Sequence, residues 1–316
     1  MNFKIDERTI LKIKHGSHAY GLNTPMSDLD IKGVAIEPLE YHLGFMHVFE
    51  QFEHMGSKDG SDDVVIYSLK KFAKLAAGCN PNIIEILFGE ESDILFIDES
   101  GEELRANRDL FLSRKARFTF AGYAYAQLKR IKSHREWLLN PPKAPPKRSD
   151  YGLGETMVVN ASDLGAFESL IDKKLEIDMP KDVLTMFVRE RSYRSAKTHY
   201  DQYVNWTKTR NVVRGALEAK SGYDTKHAMH LIRLMRMCKE IMSLGKVIVK
   251  RHDRDELLAI RDGLWTYEKI VDHAETLEKE CTGLYETSTC LPHHSDCEKL
   301  DRLIVDITEK YLKKHG

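Results

Sequence analysis

Apolar and polar positions follow two different rhythms along this 316-residue chain. Up to about residue 102 the apolar runs are short. "TILKIKHG" alternates and stops at a glycine, "LDIKGVAI" is rich in β-branched residues, and "DDVVIYS" follows the polar turn "GSKDGSDD"; all three read as strands. Helical spacing enters with "SLKKFAKLAAG", where Leu69, Phe72, Leu75 and Ala76 share a face, and with "NPNIIEILFG", where Asn80 is a cap and Pro81 occupies the first turn. From residue 103 onward the period is that of helices. They run through "RFTFAGYAYAQLKRIKSHREWLL", with Phe120, Tyr123, Gln127, Arg130 and His134 at three-to-four spacing, "KDVLTMFVRERSYRSAKTHYDQYVNWTKTRN", "DTKHAMHLIRLMRMCKEIMSLG", "DRDELLAIRDG" and "CEKLDRLIVDITEKYLKKHG". The Pro/Lys stretch "NPPKAPPKRSDYG" interrupts them. The pattern predicts an α/β domain over residues 1–102 and a larger all-α domain over residues 103–316.

Composition changes this picture little. A hydrophobic share of 42% with 31% charged residues is that of a globular protein, and no apolar run has the length of a membrane span. "MNFKIDERTILK" lacks an apolar signal core, so a cytoplasmic protein is expected, with its five cysteines reduced. Charge adds more. Residues 1–100 hold 9 Lys+Arg against 17 Asp+Glu, and the remainder holds 39 against 32. An acidic first third beside a basic remainder suits a carboxylate–metal site facing a surface that attracts phosphates.

The candidate chemistry lies in "HGSHAYGLNTPMSDLDIKG", residues 15–33. Asp28 and Asp30 are two apart, a spacing that puts both carboxylates on one side of a strand, where they repel unless a cation lies between them. Carboxylate oxygens with substrate phosphates are the preferred ligands of Mg²⁺. Gly16 and Ser17 follow a strand, so backbone N–H groups and the Ser17 hydroxyl are available to phosphates. P-loop and Rossmann glycine patterns are missing.

The order strand, Gly-Ser, about ten residues, Asp-x-Asp, strand resembles the core motif of the DNA polymerase β-like nucleotidyltransferase superfamily. Within it, "GSHAYGLNTPMSDLDIKGV" is similar to a bacterial and phage branch of predicted nucleotidyltransferases, and "YSLKKFAKLAAGCNPNIIEILF", "QLKRIKSHREWL", "KHAMHLIRL" and "LPHHSD" extend the likeness over most of the chain. The resemblance implies a palm-like catalytic domain, followed by a helical substrate-binding domain. It also implies Mg²⁺- or Mn²⁺-dependent transfer of a nucleoside monophosphate from an NTP, with release of pyrophosphate. It requires a third carboxylate on a neighbouring strand. Asp63, opening "DVVIYS", is best placed, with Asp62 as the other option; Asp28, Asp30 and Asp63 form the expected catalytic and metal-binding set.

On "KHAMHLIRL", Lys226, His227, His230 and Arg233 fall on one helical face. Similar nucleotidyltransferases bring cations of a second-domain helix to the triphosphate. The expected nucleotide-contacting set is therefore Gly16, Ser17, Tyr20, Lys226, His230 and Arg233. The aromatics of "YAYAQLKRIKSHREW" read as core in preference to a base-stacking platform, and the C-terminal Cys281, Cys290, His293, His294 and Cys297 lack the paired short spacing of a structural zinc site. The acceptor is left open among an RNA or tRNA 3′ end, a protein hydroxyl and a small molecule. The basic remainder of the chain favours RNA. A catalytically silent nucleotide-binding module is the alternative to an enzyme.

Overall fold

A computed structural model describes residues 3–25, 27–56, 62–157, 160–172, 180–210 and 212–315. The chain forms two compact units, one from Met1–Ile131 with Asp224–Gly316 and one from Lys132–Tyr223. The first is built on a five-stranded sheet of β1 (Thr9–His15), β2 (Asp30–Ala35), β3 (Gln51–His54), β4 (Asp63–Ser68) and β5 (Ile94–Ile97). The strand order is β3-β4-β2-β1-β5. The β2–β4 pair is parallel and the other neighbours are antiparallel. β1, β2 and β4 are the three strands legible from alternation and β-branching. The other two are four residues long, too short to display a period.

Helices in the first unit are α1 (Ile5–Arg8), α2 (Gly16–Tyr20), α3 (Leu39–Leu43), α4 (Leu69–Ala77), α5 (Pro81–Phe88), α6 (Glu99–Ala106) and most of α7 (Ala116–Leu139). The second unit holds the end of α7 and α8 (Ala161–Asp172), α9 (Lys181–Thr209) and α10 (Val212–Ser221). The chain then returns to the first unit with α11 (Thr225–Leu244), α12 (Arg254–Arg261), α13 (Tyr267–Thr287) and α14 (Cys297–His315). Local chemistry starts several of them. Ser68 accepts from Lys71 N–H ahead of α4, Asn80 from Asn82 N–H ahead of Pro81 in α5, and Asp224 from His227 N–H ahead of α11.

The packing divides the chain elsewhere than at residue 102. Leu300, Ile307 and Tyr311 of α14 are buried within the first unit. The Tyr311 hydroxyl donates to the Glu7 carbonyl, while Lys310 and Lys314 pair with Glu103 and Glu99 of α6. An amphipathic helix far along the chain must cover its apolar stripe, and the helices beside the sheet offer the matching surface. The buried stripe of α7 runs through Ala116, Phe120, Ala121, Ala124 and Ile131; of the aromatics expected in the core, Trp137 is buried but Tyr123 and Tyr125 are exposed.

Inside the second unit, Trp137 donates its indole N–H to His199 Nε2 (2.9 Å) and lies 5.4 Å from Trp206, ring to ring. Arg210 sits over the Trp206 face and pairs with Glu218. Arg148 pairs with Glu190, and Phe167 packs on Phe187. Among the described residues, no helix is long and apolar enough to cross a membrane.

Candidate active site

Strand register assembles the carboxylates. His15, the last residue of β1, pairs with Asp30, the first of β2, and Asp30 in turn pairs with Asp63, the first of the parallel strand β4. The three side-chain positions form a row at one end of the sheet. Directly after His15 the chain turns into α2 through Gly16, whose φ of 63° lies in the left-handed region. A Cβ at this position would overlap the Oδ2 of Asp30. Glycine is thus demanded twice, by the backbone angle and by the carboxylate occupying the space above it.

Asp30 and Asp63 are both half-buried. Burial pushes the Asp30 carboxyl above the ordinary carboxylate range, His15, Lys32 and Lys226 pull it down, and the nearby Asp63 charge pushes it up again. Asp63 Oδ1 accepts from the Gly56 N–H at 2.8 Å, and the Asp63 N–H donates to the Leu29 carbonyl, which locks the start of β4 to the approach of β2. Asp62 precedes the strand and is exposed. Asp28 corrects the strand argument for the pair: β2 begins only at Asp30, and Asp28 lies exposed in the irregular approach to it, so strand alternation does not set its direction.

Behind this row lies a buried polar cluster that sequence reasoning missed in part. Glu85 of α5 accepts from the Tyr20 hydroxyl (2.6 Å) and from the Arg233 guanidinium, and His15 Nε2 is 3.3 Å from its carboxylate. Arg233 also lies over the Tyr20 ring, 3.7 Å from its centroid. Burial opposes ionisation of Glu85, but Arg233, His15 and Tyr20 outweigh it and hold the carboxyl far below its usual range. Burial pulls the His15 imidazole down, so it is neutral near pH 7. These contacts correct two expectations. Tyr20 and Arg233 are buried and committed to Glu85; their polar groups face inward and do not offer themselves to a triphosphate. A lone Glu in the apolar run "PNIIEILF" was the available signal for Glu85.

Of the remaining expected residues, Gly16 lies against Asp30 and Lys226 acts on its charge. Gly16 and half-buried Ser17 open α2, and Lys226 is exposed at the start of α11, within electrostatic range of Asp30. His230, one turn on, is half-buried; burial first, then Arg233, Lys226 and His227, lower its pKa well below the ordinary value, so it is neutral. The C-terminal segment also grips the far end of α2: Arg251 N–H, Arg254 Nε and Arg261 donate to the carbonyls of Tyr20, Gly21 and Leu22. Of the C-terminal thiols, Cys281 is buried in α13, donating to the Met235 carbonyl of α11, while Cys290 and Cys297 are exposed.

The sequence profile of the RNA repair pathway DNA polymerase beta family matches residues 3–141. An uncharacterized 38.9 kDa protein of Enterobacteria phage T4, from the nrdC–mobD intergenic region, is 23% identical over 334 aligned positions that cover 98% of each chain. No solved structure matches the chain. The profile match takes in the whole sheet, Gly16, Glu85 and every candidate carboxylate, whereas Lys226, His230 and Arg233 fall outside it and within the phage alignment. Over residues 3–141 the chain is therefore similar to a polymerase β-like nucleotidyltransferase-type family.

Proposed function

We propose that the protein transfers a nucleoside monophosphate from an NTP to a hydroxyl acceptor at an RNA end, releasing pyrophosphate. The observation that carries this reading is the register Asp30↔Asp63 across parallel strands, with Gly16 held against Asp30. Carboxylate oxygens from adjacent strand ends, where the Asp63 charge disfavours ionisation of Asp30, make a donor set suited to a hard divalent cation. Asp30 and Asp63, with Asp28 at the approach, would hold Mg²⁺ or Mn²⁺. Such an ion neutralises triphosphate charge and lowers the pKa of a bound hydroxyl. Gly16 and Ser17 contact phosphate oxygens, and Lys226 adds a cation from α11. The acceptor oxygen forms its bond to the α-phosphorus as the bond to the β-phosphate bridge breaks. Asp63, the first residue of β4, orients that hydroxyl. Neutral His230 adds no charge to the site; it is a polar neighbour of Lys226.

RNA as acceptor is supported by the RNA repair pathway after which the matching family is described and by the basic remainder of the chain. The test is incubation with each α-labelled NTP, Mg²⁺ or Mn²⁺, and pooled RNA including tRNA. Label appearing on RNA, and lost in Asp30→Asn, is the expected result. Label on the protein itself would move the acceptor to a protein hydroxyl. Nucleotide binding without transfer under every condition would refute the enzymatic reading.

A further inference from the structure

The segment joining α3 to β3 exposes apolar side chains in a way a solvated loop does not. Leu43 is 80% exposed, Phe45 93%, Met46 74% and Val48 82%, with Leu39 half-exposed behind them. The segment is nonetheless pinned from beneath: Phe3 packs edge-on against Tyr41 and Phe49, each 5.3 Å away, and His47 stacks on Tyr41. The patch is thus held in shape with its apolar groups turned to water. Beside it runs a groove of about 750 Å³, lined by Tyr41, Met46, Val48, Gln51, Phe52 and Lys71 among others. Its floor is β3, the terminal strand of the sheet.

We propose that this face joins a second copy of the chain, through two-fold antiparallel pairing of β3 with β3 and closure of the apolar patches over the joint. Three features favour a second copy. The first is backbone direction. Ser68 N–H donates to the Glu50 carbonyl, so residues 50, 52 and 54 turn their polar groups to β4, and Gln51 and Glu53 turn theirs outward. A two-fold register centred on Phe52 sets Gln51 opposite Glu53 of the second copy, twice, and these are the outward residues that exchange hydrogen bonds. The second is charge. The same register brings Glu50, which pairs with Lys71, opposite His54 of the second copy, whereas a register centred on Glu53 would set like charges face to face. The third is area. Five such side chains offer roughly 600 Å² of apolar surface per copy, so two copies reach the lower range of specific interfaces. An open edge strand beside an apolar patch is otherwise a template for further chains, and a closed two-fold pair covers it.

The experiment is light-scattering mass determination on the full chain from about 1 to about 100 µM. The expected mass approaches twice 36.4 kDa. Phe45→Glu with Val48→Glu, and separately Gln51→Pro, which removes only an outward N–H, should each return the mass to that of one chain with an unchanged far-UV circular dichroism spectrum. Glu50→Lys should weaken the dimer, and adding His54→Glu should restore it. A wild-type chain monomeric throughout the range, or polydisperse aggregation without a dimer, overturns the proposal. So does a dimer that survives either the Phe45/Val48 change or Gln51→Pro.

Discussion

At the scale of single residues, the site turns on how closely Asp30 is hemmed in. Gly16→Ala must adopt a left-handed φ and displace the Asp30 carboxylate at once. We expect a folded protein less stable by about 1–2 kcal/mol, a cost read from urea midpoints, with transfer falling further than stability does. Asp63→Asn keeps an oxygen to accept the Gly56 N–H, so the start of β4 persists; transfer should drop by about 10³-fold. The same change should lower the Asp30 pKa, because Asp63 no longer pushes it up, a shift visible by carboxyl NMR titration. Asp62→Asn, on an exposed residue outside the strand, should be nearly silent. The reverse pattern, Asp62 essential and Asp63 dispensable, would remove Asp63 from the site.

At the scale of elements, Glu85 and Arg233 tie α5 to α11, and Tyr20 and His15 bring α2 and β1 to the same carboxylate. Removing one member leaves a buried charge without its partner. Glu85→Ala or Arg233→Ala should therefore destabilise by about 3–5 kcal/mol. Lys226→Ala, on an exposed side chain of the same helix, should change stability by less than about 0.5 kcal/mol and raise the KM for NTP. Equal KM effects with no loss of stability in the Arg233 variant would return Arg233 to the nucleotide site. The neutral histidines set an acid limit. His15 and His230 have folded pKa values below the unfolded value of about 6.5, so below that pH the unfolded chain takes up protons the folded chain refuses. Stability should be level above about pH 7 and fall as pH drops through 6.5, by at most about 1.4 kcal/mol per pH unit for each histidine. Glu85, with its pKa depressed, stabilises above about pH 4.3 and gives way only at far lower pH, so it does not contribute to that first decline. Urea midpoints rising between pH 7 and 5 would contradict the assignment.

For the whole molecule, the family match and the folding unit have different ends. The match stops at residue 141, yet Arg233, the carbonyl grips of Arg254 and Arg261, and the buried stripe of α14 all belong to the unit that carries the sheet. A chain ending at residue 141 would leave Glu85 without Arg233 and the surfaces under α11 and α14 open to water. It should show no cooperative thermal transition, whereas the full chain should. A sharp transition in the shortened chain would show that the return of residues 224–316 is dispensable.

What could be read from the sequence was local. Asp30 and Asp63 each open a strand whose alternation or branching is visible in a few residues, Asn80 and Pro81 start a helix by their own chemistry, and Gly16 stands where a strand must turn. Strand period and capping act over one or two turns of chain, so they are legible without a fold. The rest depended on partners far away in sequence. Lys226 shares a helical face with Arg233, but only the depth of burial separates a surface cation from one enclosed with Glu85, 148 positions earlier. Asp28 and Asp30 keep their spacing of two in any conformation. It took the register of β2 against β1 and β4, set by hydrogen bonds across the sheet, to start the strand at Asp30 and leave Asp28 outside it.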